Sequence, residues 1–324
     1  MSKILLFGST GQIGRELARV LLPLGDLHIV DRTQCDLARP RTLLNVMNLV
    51  RPTIVINAAA YTAVDKAETE QALAMRVNAE APGIMAEEAR RQGALFVHYS
   101  SDYVFDGRKD GSYVEHDPVN PLSVYGRSKL AGERAVHQAG GDYLILRTSW
   151  IYAAHGKNFL RTMLRLAAEG TQMRVVADQF GAPTSARLVA ESTAMILRQD
   201  IARRRLNCFE GGLFHLTASG ATSWHGFASA IVAAACGHSV PGADSAALPR
   251  RDVLPITTAD FPLPAPRPTN SRLNCARLAR RYGLRRQHWH VGMQLCLAEL
   301  LGGGVRAATA RVGTLDPAWI AARG

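Results

Sequence analysis

The chain has few cysteines and no run of apolar residues long enough to cross a bilayer. Its five cysteines are Cys35, Cys208, Cys236, Cys275 and Cys296, and none forms a C-x-x-C pair. Scattered thiols of this kind indicate reduced cysteines, not a disulfide framework or a zinc site. An apolar stretch of about 18 residues is absent, and no charged leader with a cleavage site precedes the first strand. We therefore expect a cytoplasmic protein that does not enter a membrane.

Aromatic residues are also scarce, at 6%, although the net charge is +11. The arginines occur in short groups at 203–205, 250–251, 280–281 and 285–286. They are not interleaved with a series of stacking aromatic residues, and no nucleic-acid motif is present. Two interpretations of the charge remain: nucleic-acid binding, and a basic surface that serves anionic small molecules. The second is favoured, because a dinucleotide and a phosphorylated substrate both benefit from positive potential.

What the sequence does contain is a regular alternation of strands and helices. Apolar runs predict strands at 3–7, 27–30, 53–60, 95–100 and 143–148. Amphipathic segments predict helices at 12–22, 43–50, 68–92 and 122–138. Strands that are almost continuously apolar belong to a parallel sheet covered on both faces. The fold class is therefore α/β, with a Rossmann-type doubly wound parallel sheet.

A glycine-rich segment follows the first predicted strand. Gly8, Gly11 and Gly14 give it the form G-x-x-G-x-x-G, and Gln12 and Ile13 begin the next helix. Glycines allow a tight turn and let a pyrophosphate approach main-chain N–H groups at a helix N-terminus. The position between a strand and a helix favours dinucleotide binding over an ordinary turn.

The second strand ends on two residues that favour different cofactors. Asp31 would accept a hydrogen bond from the ribose 2′-hydroxyl of NADH. Arg32 would pair with the 2′-phosphate of NADPH, so the sequence leaves the choice open. Asp36 and Leu37 are predicted at the adenine side, although Asp36 fits a capping or turn role equally well. The third strand ends on small or polar residues that would let the cofactor lie against it, among them Ala60, Tyr61 and Thr62.

Three later residues form a pattern typical of ketone reduction. Tyr125 precedes Lys129 by one helical turn, so both side chains lie on one face. A nearby ammonium favours tyrosinate and would lower the pKa of Tyr125 for proton exchange. Ser101, at the end of the fourth strand, would bind the substrate carbonyl. Trp150 directly follows the fifth strand, where ligands bind in doubly wound folds, and is predicted to form a substrate-pocket wall.

Taken together, these segments resemble the dTDP-4-dehydrorhamnose reductases, a family of extended short-chain dehydrogenases. The stretches that carry the resemblance are ILLFGSTGQIG, VINAAAYTAVDKAE, VHYSSDYVFDG, NPLSVYGRSKLAGE, LRTSWIYA, DQFGAPTSA, FHLTASGATSWHGFA and RPTNSRL. The resemblance implies NADPH- or NADH-dependent reduction of the 4-keto group of dTDP-4-dehydro-β-L-rhamnose to dTDP-L-rhamnose. This would be the last step of dTDP-rhamnose biosynthesis for cell-surface polysaccharide.

The resemblance also implies roles for individual residues. Catalytic roles fall on Ser101, Tyr125 and Lys129. Substrate contacts are implied for Ser101, Asp102, Tyr125, Trp150, Arg267 and Asn270, the last two at the diphosphate unless they pin their loop. Cofactor contacts are implied for Gly11, Gln12, Ile13, Asp31, Asp36, Leu37, Ala60, Tyr61 and Thr62, beside Tyr125 and Lys129. The family often has threonine at position 101, and serine keeps the hydroxyl.

The sequence leaves open whether a metal site is present and whether the protein has one of two other functions. Some members hold magnesium at a dimer contact through glutamates that match Glu16, Glu191 and Glu299, which would imply a homodimer. Their separation in the sequence favours surface carboxylates instead. A sugar-nucleotide epimerase or dehydratase, and an NADP-binding regulatory subunit like the β subunit of methionine adenosyltransferase, are the alternative functions. The segments TSWIYA and RPTNSRL favour the reductase.

The expected organisation is a Rossmann domain over residues 1–150, to which some later segments return. Residues 151–302 would form mainly a smaller α/β domain for the nucleotide sugar. Residues 239–270, rich in proline and alanine, are predicted to be loop. Residues 303–324 follow a run of three glycines and are predicted to be a weakly ordered appendage.

Overall fold

A computed structural model describes residues 2–238, 247–248 and 251–302. Its centre is a parallel six-stranded sheet. The strands are β1 (Ser2–Phe7), β2 (Gly25–Val30), β3 (Ile54–Asn57), β4 (Leu95–Ser101), β5 (Tyr143–Thr148) and β10 (Gly212–His215). Their order in the sheet is β10-β5-β4-β3-β1-β2. The predicted doubly wound α/β class is confirmed.

The central strands lack a polar face because helices cover both sides of the sheet. Every residue of β3 and β4 is buried, which explains why both strands begin with apolar runs and carry their polar residues only towards their carboxyl ends. Two apolar clusters lie on the two faces, one around Leu6 and Leu17 and the other around Leu5 and Met85. The helices that pack here are α1 (Gln12–Val20), α2 (Pro40–Val50), α5 (Ala81–Arg91), α6 (Val124–Ala139), α8 (Ala186–Arg205) and α10 (Ala276–Tyr282).

A separate apolar core forms around Phe227, Tyr152 and Trp289. Its helices are α7 (Phe159–Ala168), α9 (Trp224–Ala235) and α11 (Trp289–Leu300). Three two-stranded pairs accompany them: β6 (Ile151–Tyr152) with β9 (Thr184–Ser185), β7 (Met173–Val176) with β12 (Val253–Ile256), and β8 (Phe180–Gly181) with β11 (Thr222–Ser223). The predicted second, smaller domain would contain this separate apolar core.

Two sequence predictions differ from the structure. Residues 239–270 are not loop throughout, because β12 pairs in parallel register with β7; a pairing so distant in sequence leaves no local signal. The helix predicted over 68–92 is divided into α4 (Gln71–Met75), a π-helical turn (Arg76–Glu80) and α5. Inside that turn, Asn78 bonds Tyr61 and Ser128, and single π turns often lie at functional sites.

The remaining short elements are α3 (Val64–Ala67) and three 3₁₀ turns at Leu22–Leu24, Asp102–Val104 and Thr258–Asp260. None of the helices in the described ranges combines the length and hydropathy that a bilayer span requires. The predicted appendage at 303–324 lies outside the described residues, as does part of the predicted loop at 239–270.

Candidate active site

The strand order reverses between β1 and β3, and a cleft of about 990 Å³ opens at the carboxyl ends of the strands. Ligands bind at such switch points because the crossover helices diverge there. The predicted residues that line this cleft are Gly8, Gly11, Gln12, Ile13, Asp31, Arg32, Asp36, Leu37, Ala60, Tyr61, Thr62, Ser101, Asp102, Tyr125, Lys129 and Trp150. Gly14, Arg267 and Asn270 do not line it.

The turn after β1 is closed so tightly that glycine is required. Gly8 has a φ of +80°, and a Cβ there would lie 2.6 Å from the Ala59 nitrogen. A Cβ on Gly14 would lie 2.0 Å from the Gly8 carbonyl oxygen. Gly14 therefore shapes the turn from beneath, while Gly11 caps α1 facing the cleft. This cradle at a helix N-terminus fits the diphosphate of a dinucleotide.

Asp31 and Arg32, between whose cofactor preferences the sequence did not choose, both lie at the end of the cleft predicted for adenosine. Asp31 Oδ1 accepts hydrogen bonds from Thr33 N (2.8 Å), Thr33 Oγ1 (2.6 Å) and Gln34 N (3.2 Å). The Thr33 side chain and these main-chain donors lower the pKa of Asp31, so the carboxylate stays charged. Arg32 extends into solvent, its Nε 3.9 Å from Asp36. Both a hydroxyl acceptor and a phosphate partner thus lie at this end.

At the inner end, Ser101, Asp102 and Tyr125 meet where β4 stops and α6 begins. Ser101 Oγ donates to Asp102 Oδ1 (3.0 Å) and accepts from Tyr103 N (3.2 Å). Burial raises the pKa of Asp102 to about 6, against hydrogen bonds from Ser271 and Ser101. Burial also raises the pKa of Tyr125 to about 12, opposed by the Ser101 hydroxyl and assisted by the Asp102 charge. Tyr125 is therefore a protonated phenol at neutral pH.

Lys129 lies one helical turn from Tyr125 and is buried. Its Nζ donates to the Tyr99 carbonyl at 2.6 Å and lies 3.4 Å from His98 Nε2. Burial lowers the pKa of Lys129 to about 8, opposed by Glu133. This main-chain partner was not predicted. The expected lowering of the pKa of Tyr125 by Lys129 is wrong for this structure, because burial and the Asp102 charge raise that pKa and only the Ser101 hydroxyl opposes them.

Trp150 forms one wall of the cleft together with a residue that the sequence analysis missed. Its ring stacks on Trp224 with a centroid distance of 3.6 Å and an interplanar angle of 8°. Trp150 has a φ of +51°, a strained conformation that costs about 1–3 kcal/mol and clusters at ligand sites. Gly181 makes room, since a Cβ there would lie 2.5 Å from Trp150 Cε2. No local sequence pattern pairs residues so far apart.

The cleft also contains polar residues that the sequence did not predict, Thr148, Ser149 and Lys157, beside the predicted Asp102. In the described part of the chain, Asp102 Oδ2, Thr148 Oγ1 and Ser149 Oγ are buried without a hydrogen-bond partner. All three residues line the inner end of the cleft, and Lys157 lies at its rim. Buried oxygens are seldom left without partners, so these atoms fit a polar ligand such as a sugar. The position of Thr148 and Ser149 at the end of β5 was the available signal.

Arg267 and Asn270 hold loops in place. Arg267 Nη2 bonds Asp65 Oδ2 at 2.8 Å. Asn270 Nδ2 donates to the Lys109 and Gly111 carbonyls at 2.7 and 2.6 Å. These contacts correspond to the alternative in which Arg267 and Asn270 pin their loop. A contact of either residue with the diphosphate stays a prediction.

The three glutamates proposed for magnesium surround an arginine. Arg187 Nη2 lies 2.6 Å from Glu299 Oε2, and its Nε lies 3.5 Å from Glu16 Oε2. Glu191 lines the same small cavity, and the charge of Arg187 opposes the raised pKa that burial gives it. No group of three potential metal ligands was found among residues 2–238, 247–248 and 251–302. Within one chain, Glu16 and Glu299 therefore pair with the guanidinium of Arg187, and a magnesium site at a dimer contact stays a prediction.

A dinucleotide cradle at the switch point, facing a serine, a tyrosine and a lysine, defines an NAD(P)-dependent oxidoreductase of the short-chain dehydrogenase type. The family model described as the RmlD substrate binding domain matches residues 2–301. The dTDP-4-dehydrorhamnose reductase of Burkholderia thailandensis is 50% identical, covering 92% of this chain and 99% of that protein. The Escherichia coli K12 reductase is 43% identical, covering 92% and 97%.

A solved structure agrees with these relatives. The dTDP-4-dehydrorhamnose reductase of Bacillus anthracis, in complex with NADP, superposes with a TM-score of 0.81 at 32% identity, covering 92% of this chain and 99% of that one. The chain belongs to the dTDP-4-dehydrorhamnose reductase family, which confirms the resemblance read from its motifs.

Proposed function

We propose that this protein reduces the 4-keto group of dTDP-4-dehydro-β-L-rhamnose to give dTDP-L-rhamnose, with NADPH or NADH as reductant. The observation that carries the proposal is one continuous cleft that joins the glycine cradle to Ser101 and Tyr125. The names of the relatives supply the sugar nucleotide. The product would serve cell-surface polysaccharide.

In this proposal Gly8, Gly11 and Lys129 would hold the dinucleotide, whose nicotinamide would supply a hydride for C4 of the sugar. Ser101 turns its hydroxyl from Asp102 towards the 4-keto oxygen and orients it. Tyr125 donates its phenolic proton to that oxygen, and Lys129, one helical turn along α6, assists this transfer. The raised pKa of Tyr125 keeps the phenol protonated at neutral pH before the transfer. A positioned general acid typically contributes about 10²–10⁴-fold to the rate. Asp102, Thr148 and Ser149 bind sugar hydroxyls, and Trp150 packs against the ring.

The surroundings of the enzyme belong to the same proposal. We assign the positive net charge to attraction of the dinucleotide and the sugar diphosphate, not to nucleic acid. The reaction would take place in the cytoplasm, and a homodimer would be detected by size-exclusion chromatography with light scattering.

The direct test mixes purified protein with dTDP-4-dehydro-β-L-rhamnose and follows NADPH and NADH oxidation in separate reactions. The proposal expects loss of reduced cofactor only with the sugar, and a product that co-elutes with dTDP-L-rhamnose. An epimerase or dehydratase would convert the sugar without net oxidation of added cofactor. A folded protein that binds NADP but turns over neither cofactor would favour the regulatory subunit.

A further inference from the structure

Behind the proposed active site, a chain of three buried side chains leads from β3 to α6. Asn57 and His98 are register partners on the adjacent strands β3 and β4. Asn57 Nδ2 lies 3.3 Å from His98 Nδ1, and His98 Nε2 lies 3.4 Å from Lys129 Nζ. All three residues are at most 2% exposed, so their polar atoms must find hydrogen-bond partners within the protein.

The orientation of the asparagine amide fixes which atom faces the imidazole. Ala59 N–H donates to Asn57 Oδ1 at 3.1 Å. The amide oxygen is thereby committed, and the amide nitrogen, which is a donor only, faces His98. For this contact to be a hydrogen bond, His98 Nδ1 must hold a lone pair.

The tautomer of His98 then bears on the charge of Lys129. A neutral imidazole has one N–H and one acceptor nitrogen. If Nδ1 accepts from Asn57, the proton is on Nε2 and points at Lys129. A neutral amine can accept this N–H while still donating to the Tyr99 carbonyl. An ammonium has no lone pair, so protonation of Lys129 sacrifices either the Asn57–His98 or the His98–Lys129 hydrogen bond.

We propose that His98 is a positioning residue for the reduction, which together with Asn57 weakens the hold of Lys129 on its proton. The inference deepens the proposed function and rests on the participation of Lys129 in it. The other charged or titratable groups around this lysine are few. Glu133, one turn further along α6, favours the ammonium, but it is bound by Arg147 at 2.7 and 2.8 Å. Tyr125 faces the cleft, with Asp102 beside it.

Burial and the Lys129 charge hold the pKa of His98 well below its usual range, so the imidazole stays neutral and only its tautomer can respond. When Lys129 loses its proton, the Nε2–H tautomer satisfies Asn57, His98 and Lys129 at once. The network therefore stabilises the form of Lys129 that remains after it has given up a proton.

The test is ¹⁵N NMR of histidine-labelled full-length protein between pH 6 and 10, with the His98 signals assigned by their loss in His98→Gln. The proposal expects a neutral imidazole that carries its proton on Nε2 at high pH. Its shifts should change with a midpoint near the Lys129 pKa of about 8, and Lys129→Met should abolish the change. His215 is an internal control, because it is also buried in a strand but its Nδ1 faces the Tyr113 carbonyl at 3.2 Å. A proton on His98 Nδ1 at every pH, or shifts that stay constant, would overturn the proposal.

A second readout uses turnover. The amide of His98→Gln can present an oxygen to the ammonium, so Lys129 should hold its proton to higher pH. The alkaline arm of kcat/KM against pH should move upward by about half a pH unit or more. A merely structural role would lower the rate equally at every pH, and an unmoved profile would contradict the proposal. Inactive wild-type protein with the expected NMR titration would refute the proposed function but leave the tautomer coupling standing.

Discussion

Trp150 lies flat against Trp224, with ring centroids 3.6 Å apart, and both rings line the cleft. Trp224 begins α9, whose buried residues from Phe227 to Ala235 pack in the second core, so the stack joins that core to the active-site wall. The ring of Phe159 packs on Trp224 as well, with ring centroids 4.6 Å apart. The strained backbone of Trp150 is held by this packing.

Replacement of Trp224 should therefore affect the sugar nucleotide more than the dinucleotide. We expect Trp224→Leu to raise the KM for the sugar nucleotide about 10-fold, since loss of aromatic stacking and buried area is worth roughly 1–2 kcal/mol. The Kd for NADPH should change less than about 3-fold, which calorimetric titration measures. Trp289→Leu is the control: this ring is in the second core away from the cleft, so stability should fall while KM stays. Equal effects on both ligands would argue against a substrate wall.

Gly11 and Gly14 should respond differently to the same added methyl group. In Gly14→Ala the new Cβ would clash with the Gly8 carbonyl at 2.0 Å, so the turn must open and the protein should be destabilised by several kcal/mol. In Gly11→Ala the nearest atom is 3.3 Å away. The fold should persist, and the methyl group should weaken NADPH binding about 10-fold or more by blocking the diphosphate. Denaturant titration and binding separate the two effects; unchanged NADPH binding in Gly11→Ala would contradict the cradle.

Asp102 should destabilise the folded protein above its own pKa. Its folded pKa of about 6 lies above the reference value of 3.8, so the carboxyl binds its proton more tightly when folded. This tighter binding of the proton stabilises the folded state below pH 3.8, and the stabilisation is lost as the pH rises through 6. Asp102→Asn should raise the free energy of unfolding by about 1–3 kcal/mol at pH 8, and by much less at pH 4. Activity should fall, because the substrate contact is altered. A gain that does not depend on pH would exclude this electrostatic origin.

Arg187 should make a divalent metal unnecessary. We expect EDTA to leave turnover and Tm unchanged, because the guanidinium already balances the carboxylates of Glu16 and Glu299. Arg187→Ala should lower the free energy of unfolding by about 1–2 kcal/mol, because it leaves the buried Glu16 without that partner. The partial exposure of the pair keeps the loss this small. Arg165→Ala, which breaks an exposed pair with Glu169, should cost less than about 0.5 kcal/mol. Loss of turnover in EDTA, restored by magnesium, would contradict this account.

Local patterns in the sequence predicted the parts of the molecule that depend on local structure. The glycine turn, the buried strands and the Tyr125–Lys129 spacing follow from strand and helix periodicity. Almost all of the site residues predicted from these patterns and from the family resemblance line the cleft. The division of the chain at residue 150 stays a prediction. Contacts between distant segments were missed: the Trp150–Trp224 stack, the β7–β12 pairing and the place of Arg187 among the glutamates. Such contacts depend on tertiary packing, which no local pattern encodes.

The central claim is that Tyr125 gives its proton to the 4-keto oxygen of the sugar, and Tyr125→Phe tests it most directly. Tyr103→Phe is the matched control, since Tyr103 also lines the cleft and packs edge-to-face on Tyr125 with ring centroids 5.4 Å apart. The account predicts that Tyr125→Phe lowers kcat at least about 10²-fold with the NADPH Kd unchanged, while Tyr103→Phe keeps most of its turnover. Near-normal kcat in Tyr125→Phe would contradict the assigned chemistry.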